Sequence, residues 1–409
     1  MISPTKAQSR PPIKALGQIE FVALIAMLAA SVAFSIDAML PALPDIGAEL
    51  SPGNLNRAQL IITSFVLGMG LGTFITGPLA DRFGRKNVIL GGAVLYVCAT
   101  VFAFFTTTLE TMLAARVLMG LGAAAPRVVA MALVRDLYSG RDMARIMSFV
   151  MLVFSLVPAL APTLGAGIIT FSGWRGIFVA FAIFISLSTC WLMLRQPETL
   201  APENRRPLRF TTIFAAAREV YGHPTARLAT FVQTLSMGML FSVLSSTQQV
   251  FDQTYGQGDT FHLWFGGIAI LAASASIINA RLVGRLGMRP IIKAMMLAQM
   301  FMSLGMICII MLGLPNQIEL LFYAIWTVSV FFQAGLTIGN LNALAMEPMG
   351  HIAGSAASII TATATVGAVL IAIPIGLRFD GTPLPLAFGI FVCACLALWL
   401  TTLIRRDSD

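Results

Sequence analysis

Long apolar stretches separated by short polar ones run along almost the whole chain. A transmembrane helix needs about 20 mostly apolar residues, and open-ended strands would leave backbone groups unpaired in lipid. The pattern therefore predicts an all-α membrane protein with twelve transmembrane helices. The predicted spans are residues 18–44, 56–80, 87–106, 110–136, 143–171, 174–195, 224–252, 260–282, 289–312, 317–345, 352–379 and 384–404.

One polar segment, residues 196–223, is longer than the other loops and divides the chain nearly in half. A basic turn at residues 77–86 recurs in degraded form at residues 280–289, once in each half. Two six-helix copies joined by a linker are typical of a transporter whose halves rock about a central site. We therefore divide the chain into a tail, a six-helix half, a linker, a second six-helix half and a second tail, at residues 1–17, 18–195, 196–223, 224–404 and 405–409.

The composition agrees with a membrane protein, and the distribution of charge sets its orientation. Hydrophobic residues make up 57% of the chain and charged residues only 11%, whereas soluble domains carry about 25% charged residues. Most of the 26 Lys and Arg residues lie in the tails, the linker and every second loop. This bias predicts that both termini are cytosolic. It also explains the net charge of +8 without a nucleic-acid partner.

The linker contains apolar residues at helical spacing from Phe210 to Tyr221, with Arg209, Arg218 and Glu219 beside them. This spacing predicts an amphipathic helix that lies on the cytosolic surface of the membrane. We interpret it as a tether between the two halves. A regulatory role is the alternative.

The sequence carries no pattern typical of an enzyme. It has no glycine-rich Walker A loop, so we do not expect ATP to drive the protein directly. It also lacks a His, Cys or Glu cluster with the spacing of a metal site. The five cysteines lie inside apolar stretches, which predicts packed free thiols. We expect neither a metal nor another cofactor, and a proton gradient as the energy source.

Several motifs resemble those of one transporter family. The turn at residues 77–86 (GPLADRFGRK) resembles the loop between helices two and three of the major facilitator superfamily. Other stretches resemble its drug/proton antiporters, specifically the Bcr/CflA (bicyclomycin/chloramphenicol resistance) branch. They are residues 35–44, 116–140, 158–165, 279–283 and 353–358. The resemblance covers essentially the whole chain. It implies a monomer with two pseudo-symmetric six-helix halves in the bacterial cytoplasmic membrane, which exchanges protons for small molecules.

The basic turn predicts a conformational latch. Gly77 and Gly84 allow close helix approach and a tight turn, and Asp81 can accept hydrogen bonds from basic groups and from a neighbouring helix N-terminus. The resemblance implies that this loop locks one conformation of the transporter. The alternative is that its basic residues serve only as topology signals. The other predicted latch residues are Arg82, Arg85, Arg135 and Asp136.

Asp37 is the predicted proton carrier. It lies inside the first span, about 12 Å from the outer end at 1.5 Å per residue. An intramembrane carboxylate is costly and by default indicates a functional site. The low dielectric favours its neutral form and a nearby cation favours the ionised form. Arg116, about 9 Å deep in the fourth span by the same rise, is the predicted partner. The alternative is a permanent structural pair of Asp37 with an arginine.

Arg127 departs from the pattern of the family. It follows Arg116 by eleven residues, three helical turns, so both side chains point to nearly the same face. Family members often carry a basic residue near the position of Met131 and Gln at the position of Met119. Arg127 is therefore interpreted either as a relocated cavity charge that favours an anionic or zwitterionic substrate, or as a group that pairs with a carbonyl or another helix.

The remaining candidate residues are a helix-bending motif and a cavity lining. Proline removes a backbone hydrogen bond and bends a helix, and glycine lets helices touch; the resemblance associates this motif in the fifth span with antiport. Polar and aromatic side chains in spans seven and ten predict an adaptable cavity wall. The motif consists of Pro158, Pro162 and Gly165, and the wall of Gln233, Phe241, Trp326, Gln333 and Asn340.

Together these features predict a proton-coupled exporter of small amphipathic compounds that works by alternating access. Its expected partners are a small-molecule substrate, protons and the lipid bilayer, with no nucleic acid. The alternative within transport is a dedicated exporter or importer of one metabolite, such as an organic anion held by Arg127. A receptor or scaffold would leave the repeated turns and Asp37 unexplained.

Overall fold

The computed structural model describes residues 16–205, 207 and 210–404, and no strand occurs within these ranges. The predicted tails, apart from Leu16 and Gly17, and the linker arginines Arg206 and Arg209 lie outside them. The α-helices are α1 (Gln18–Asp37), α2 (Leu43–Leu50), α3 (Leu60–Phe83), α4 (Arg85–Phe104), α5 (Leu109–Leu137), α6 (Gly140–Ser172), α7 (Gly176–Arg195), α8 (Phe210–Gly222), α9 (Pro224–Gln249), α10 (Phe261–Leu286), α11 (Met288–Leu312), α12 (Asn316–Met346), α13 (Ala353–Leu377) and α14 (Leu384–Thr402).

Twelve of these helices are long and apolar, six before the linker and six after it, so the predicted all-α transmembrane fold is confirmed. The first predicted span is not one helix. It breaks after Asp37, passes through a short 3-10 helix at Leu40–Ala42 and resumes as α2. Proline has no N–H, so Pro41 and Pro44 leave carbonyls of the preceding turn without a helical partner. The break therefore follows from the sequence and lies directly beside Asp37.

Small residues let the helices of the first half pack closely. Gly68 and Gly120 lie where α3 crosses α5, and a Cβ on either would overlap the backbone of the other helix. Gly92 and Gly122 do the same where α4 crosses α5. Close backbone approach through small residues is typical of membrane helices. Helix α5, which carries Arg116 and Arg127, is therefore held firmly between α3 and α4.

The two halves pack against each other mainly through two helix pairs, α3 with α13 and α6 with α10. We call the membrane surface at which α1 begins and α14 ends the tail face, and the opposite surface the far face. At the far face, residues 55–59 before α3 contact the ends of α9 and α13. The halves are therefore closed against each other at the far face.

The linker contains helix α8, which lies against the second half. Tyr221 Oη donates to Thr363 Oγ1 of α13 at 2.6 Å. Glu219 pairs with His351 Nε2, before α13, at 2.5 Å. The end of the linker is thus attached to the second half by these two contacts.

Candidate proton and substrate site

Asp37 is the last residue of α1, and its side chain is only 4% exposed. Among the residues that the structure describes, none donates a hydrogen bond to its carboxylate or forms an ion pair with it. An ionised carboxylate in such a place is strongly disfavoured unless it is paired. The position therefore suits a carboxyl group that takes up and releases a proton.

Arg116 is also fully buried, but it is not paired with Asp37. Its Nε donates to the carbonyl of Ile61 at 3.1 Å, and its Nη2 donates to the carbonyl of Ser35 at 3.0 Å. The guanidinium lies over the Phe65 ring, 4.5 Å from the ring centre. Its Nη1 has no partner in the described part of the chain. The predicted Asp37–Arg116 ion pair is absent from this conformation, because the arginine binds backbone carbonyls instead.

Arg127 lies on α5 beside α3, as Arg116 does, which agrees with the shared face that their spacing predicts. It is partly exposed, and its Nη1 contacts Met69 Sδ at 3.3 Å. No carboxylate of residues 16–205, 207 or 210–404 lies within salt-bridge distance of it. Arg127 is therefore a cation without a carboxylate partner among the described residues, and its role towards an anionic substrate stays a prediction.

The candidate cavity residues of the second half lie inside that half. Gln333 Nε2 donates to Ser236 Oγ and Thr337 Oγ1, both at 2.7 Å. Asn340 Nδ2 donates to Asn279 Oδ1 of α10 at 2.8 Å.

Trp326 is 1% exposed, donates to Ser303 Oγ of α11 at 3.1 Å and packs against Tyr323. Phe241 is 6% exposed. Gln233 is 2% exposed, and its Oε1, like that of Gln333, has no described partner. Several of these side chains therefore join helices of the second half, and their role as a substrate wall stays a prediction.

The basic turn of the first half forms an ionic cluster centred on Arg85, which is 8% exposed. Its guanidinium donates to Asp81 at 2.6 Å and to Asp136, at the end of α5, at 2.9 Å. Gly84 between α3 and α4 has a φ of 95°, a conformation that favours glycine. Gly77 faces Ser358 of α13. Arg82 lies over the Phe83 ring, and Arg135 is exposed.

Glu198 completes this cluster and was missed by sequence reasoning, which placed it in the linker. One oxygen accepts from the backbone N–H of Arg85, and the other from that of Lys86, each at 3.0 Å. Thr199 Oγ1 donates to Asp136 at 2.8 Å. Glu198, and not Asp81, therefore occupies the N-terminus of α4, where a negative charge is stabilised.

The proline motif lies within α6, which continues through Pro158 and Pro162 as one helix. Gly165 lies against the carbonyl of Ala38, the residue after Asp37, and a Cβ there would overlap that oxygen. The motif therefore brings α6 into close contact with the break beside Asp37.

Comparison with known proteins identifies the family. The family model described as Major Facilitator Superfamily matches residues 23–372. The chain belongs to the Major Facilitator Superfamily. It is 28% identical to a bicyclomycin resistance protein homolog of Haemophilus influenzae over 388 residues, 92% of this chain and 94% of that protein. It is 29% identical to a chloramphenicol resistance protein of Pseudomonas aeruginosa over 61% of this chain and 58% of that protein.

A solved structure shows the same fold. The xylose transporter XylE from E. coli, in a partially occluded inward-open conformation, superimposes with a TM-score of 0.73 at 14% identity. The match covers 96% of this chain and 99% of XylE. The resemblance to the bicyclomycin and chloramphenicol resistance branch is also confirmed by the two relatives.

Membership of the superfamily makes the protein a multi-pass membrane transporter of small molecules and not an enzyme. No group of His, Cys, Asp or Glu within the described ranges is arranged to hold a metal ion. In this superfamily member, the unusual charges inside the membrane are Asp37, Arg116 and Arg127. Of these, Arg116 is bound to the protein backbone. The described residues offer no carboxylate or cation as an ion-pair partner to Asp37 or Arg127, and the roles of these two residues stay predictions.

Proposed function

We propose that this transporter exports small amphipathic compounds, drugs among them, in exchange for protons across a bacterial cytoplasmic membrane. The observation that carries the proposal is the buried carboxyl group of Asp37, for which the described residues provide no partner. A permanently ionised group there would be costly. A carboxyl group that is neutral for part of the transport cycle avoids this permanent cost, and its reversible protonation gives the buried residue a function. The drug-resistance relatives support drugs as the substrate class.

The proposed cycle couples protonation of Asp37 to the closure of the two faces. The cavity opens to the cytosol and binds substrate while Asp37 is deprotonated. The halves then rock, and substrate leaves at the far face as Asp37 takes up a proton. Release of that proton to the cytosol resets the transporter. In this cycle the far face is closed in the first of these states, and the contacts of Gln59 with α9 and α13 are of the kind that such a state requires.

The proposal includes orientation, energy source and assembly. Basic residues of the tail face, such as Arg82, Arg135 and Arg195, support a cytosolic location of that face and of both termini. The proton gradient drives transport without a cofactor. One chain contains both halves, so a monomer suffices for the cycle.

Inside-out vesicles provide the test. The vesicle interior is acidified, a pH-sensitive dye reports the gradient, and drugs, dyes and organic anions are added in turn. The proposal expects a substrate-triggered loss of the gradient that is absent with Asp37→Asn. Equal loss with Asp37→Asn would contradict the assignment of the proton carrier, and no response to any compound would contradict drug/proton antiport.

A second candidate is a dedicated carrier of one organic anion, which Arg127 favours because it has no carboxylate partner among the described residues. It predicts a narrow substrate range and loss of substrate binding with Arg127→Ala. Arg378→Ala, which removes an exposed arginine, is the matched control. Binding of cationic drugs that is unchanged by Arg127→Ala would reject this candidate.

A further inference from the structure

Gln59 joins the first half to two helices of the second half at the far face. Its Nε2 donates to Gln249 Oε1 of α9 at 2.5 Å and to the carbonyl of Gly376 of α13 at 3.2 Å. Its Oε1 accepts from Ser246 Oγ of α9 at 2.7 Å. The side chain is 4% exposed. One carboxamide therefore uses both its donor group and its acceptor across the boundary between the halves.

A second set of bonds extends this contact. Gln249 Nε2 donates to Asn56 Oδ1 at 2.6 Å, and Asn56 Nδ2 donates to the carbonyl of Phe379 at 2.7 Å. A Cβ on Gly376 would overlap the Gln59 carboxamide and displace it. The far face is thus closed by a continuous network of side-chain amides, one hydroxyl and backbone carbonyls.

All the side chains in this network are neutral. The described ion pairs of the protein lie within the first half, within the second half or between α8 and the second half, and none joins the two six-helix halves. Each neutral hydrogen bond contributes only modestly to stability, because its groups bond to water instead when the contact opens. A closure made of several such bonds holds one state and still opens during a transport cycle.

We propose that Gln59 is the hub of an uncharged lock, formed with Asn56, Ser246, Gln249 and Gly376, that holds the far face closed. Opening of this lock is the step that releases exported substrate, so the inference deepens the proposed function. Only this role in substrate release rests on the proposed function. The lock itself is a property of the fold. Loss of the Gln59 bonds shifts the transporter towards a state open at the far face.

A cysteine reporter below the lock tests the proposal. Ser242 lies one turn deeper than Ser246 on α9 and is fully buried. Ser242→Cys is introduced into a chain whose five native cysteines are replaced by Ser or Ala. A membrane-impermeant maleimide is then applied to the far face of sealed vesicles, without substrate or proton gradient. A separate Asn54→Cys chain, whose reporter is exposed at the far face, shows that the reagent reaches that face.

Gln59→Ala removes the hub, and Gln59→Leu keeps a side chain of similar size but has neither a donor nor an acceptor. Each is expected to raise the labelling rate of the buried reporter thiol at least about fivefold, because several net hydrogen bonds are lost. Gln299→Ala is the matched control: Gln299 is equally buried but bonds only Ser303 and Ser329 within the second half.

The proposal is overturned if folded Gln59→Leu protein labels no faster than its parent, or if Gln299→Ala accelerates labelling equally. If Gln59→Ala does not fold, Gln249→Ala takes its place with the same expectation. Because the assay contains neither drug nor gradient, its failure does not depend on the proposed antiport. Conversely, failure of the vesicle assay with Asp37→Asn would leave a labelling result for Gln59 standing.

Discussion

Arg116 holds the carbonyl of Ser35 at 3.0 Å, two residues before the proton carrier proposed here, Asp37. Helix α1 ends at Asp37, so carbonyls of its last turn lack their usual helical partners. The arginine supplies one such partner from α5 and binds Ile61 of the next helix at the same time. Arg116 therefore fixes the end of α1, and with it the position of Asp37, in this conformation.

Arg116→Ala is expected to destabilise the fold itself. Two buried carbonyls would lose a charge-assisted hydrogen bond, so the free energy of unfolding should fall by about 3 kcal/mol. Thermal unfolding of the purified protein measures the effect. Arg57→Ala is the control, since its ion pair with Glu110 is exposed and should matter by less than about 0.5 kcal/mol. An unchanged unfolding temperature for Arg116→Ala would contradict the structural role.

Gly84→Ala should destabilise the turn between α3 and α4. Its φ of 95° disfavours an L side chain, and a Cβ would lie 2.6 Å from Glu198 Oε2. We expect a loss of about 1–3 kcal/mol. Gly91→Ala, in open space on α4, should be neutral or stabilising by up to about 1 kcal/mol. Equal unfolding temperatures for the two variants would show that the strain at Gly84 is absent.

Glu198→Ala should loosen the ionic cluster at the tail face. It removes the acceptor of four backbone N–H groups, those of Arg85, Lys86, Thr199 and Leu200. A loss of about 2 kcal/mol is expected, because the amides at the start of α4 lose their anionic partner. Amide hydrogen exchange over the first turn of α4 provides the readout, and faster exchange is expected.

The control for that change is Glu203→Ala, which removes an exposed carboxylate from the same segment. It should leave exchange in α4 unchanged. If both variants behave alike, Glu198 is not a specific cap of α4.

Gly165→Ala should separate α6 from the break beside Asp37. A Cβ at this position would overlap the Ala38 carbonyl, so one helix has to move. Overpacking of this kind costs about 1–3 kcal/mol, and we expect slower proton-driven transport per folded molecule. Gly167→Ala adds the same methyl group to the same helix in open space and should leave transport intact. Equal transport by both variants would contradict the close contact of α6 with Ala38.

Much of the fold could be predicted from the sequence, because each apolar stretch is long enough to cross a bilayer and must be helical there. The two prolines after Asp37 also carry a local signal for the break, which the predicted span of 18–44 ignored. Local rules of this kind act over a few residues. They were therefore sufficient to predict the helices, the turn at Gly84 and the shared face of Arg116 and Arg127.

The contacts of the site could not be predicted in the same way, because they join residues far apart in the sequence. Glu198 reaches the N-terminus of α4 from 113 residues beyond Arg85. Gln59 meets Gln249 across 190 residues. Spacing placed Arg116 on the correct face but did not show that backbone carbonyls, rather than Asp37, would bind it. Such partners depend on how the helices pack.

The central claim is that Asp37 carries the proton that drives export. The most direct measurement uses proteoliposomes with a compound that the wild-type protein transports, and compares Asp37→Asn for two activities. Asp37→Asn should lose uphill transport driven by a pH gradient but retain exchange of labelled for unlabelled substrate, because exchange needs no net proton movement. Undiminished uphill transport by Asp37→Asn would contradict the account.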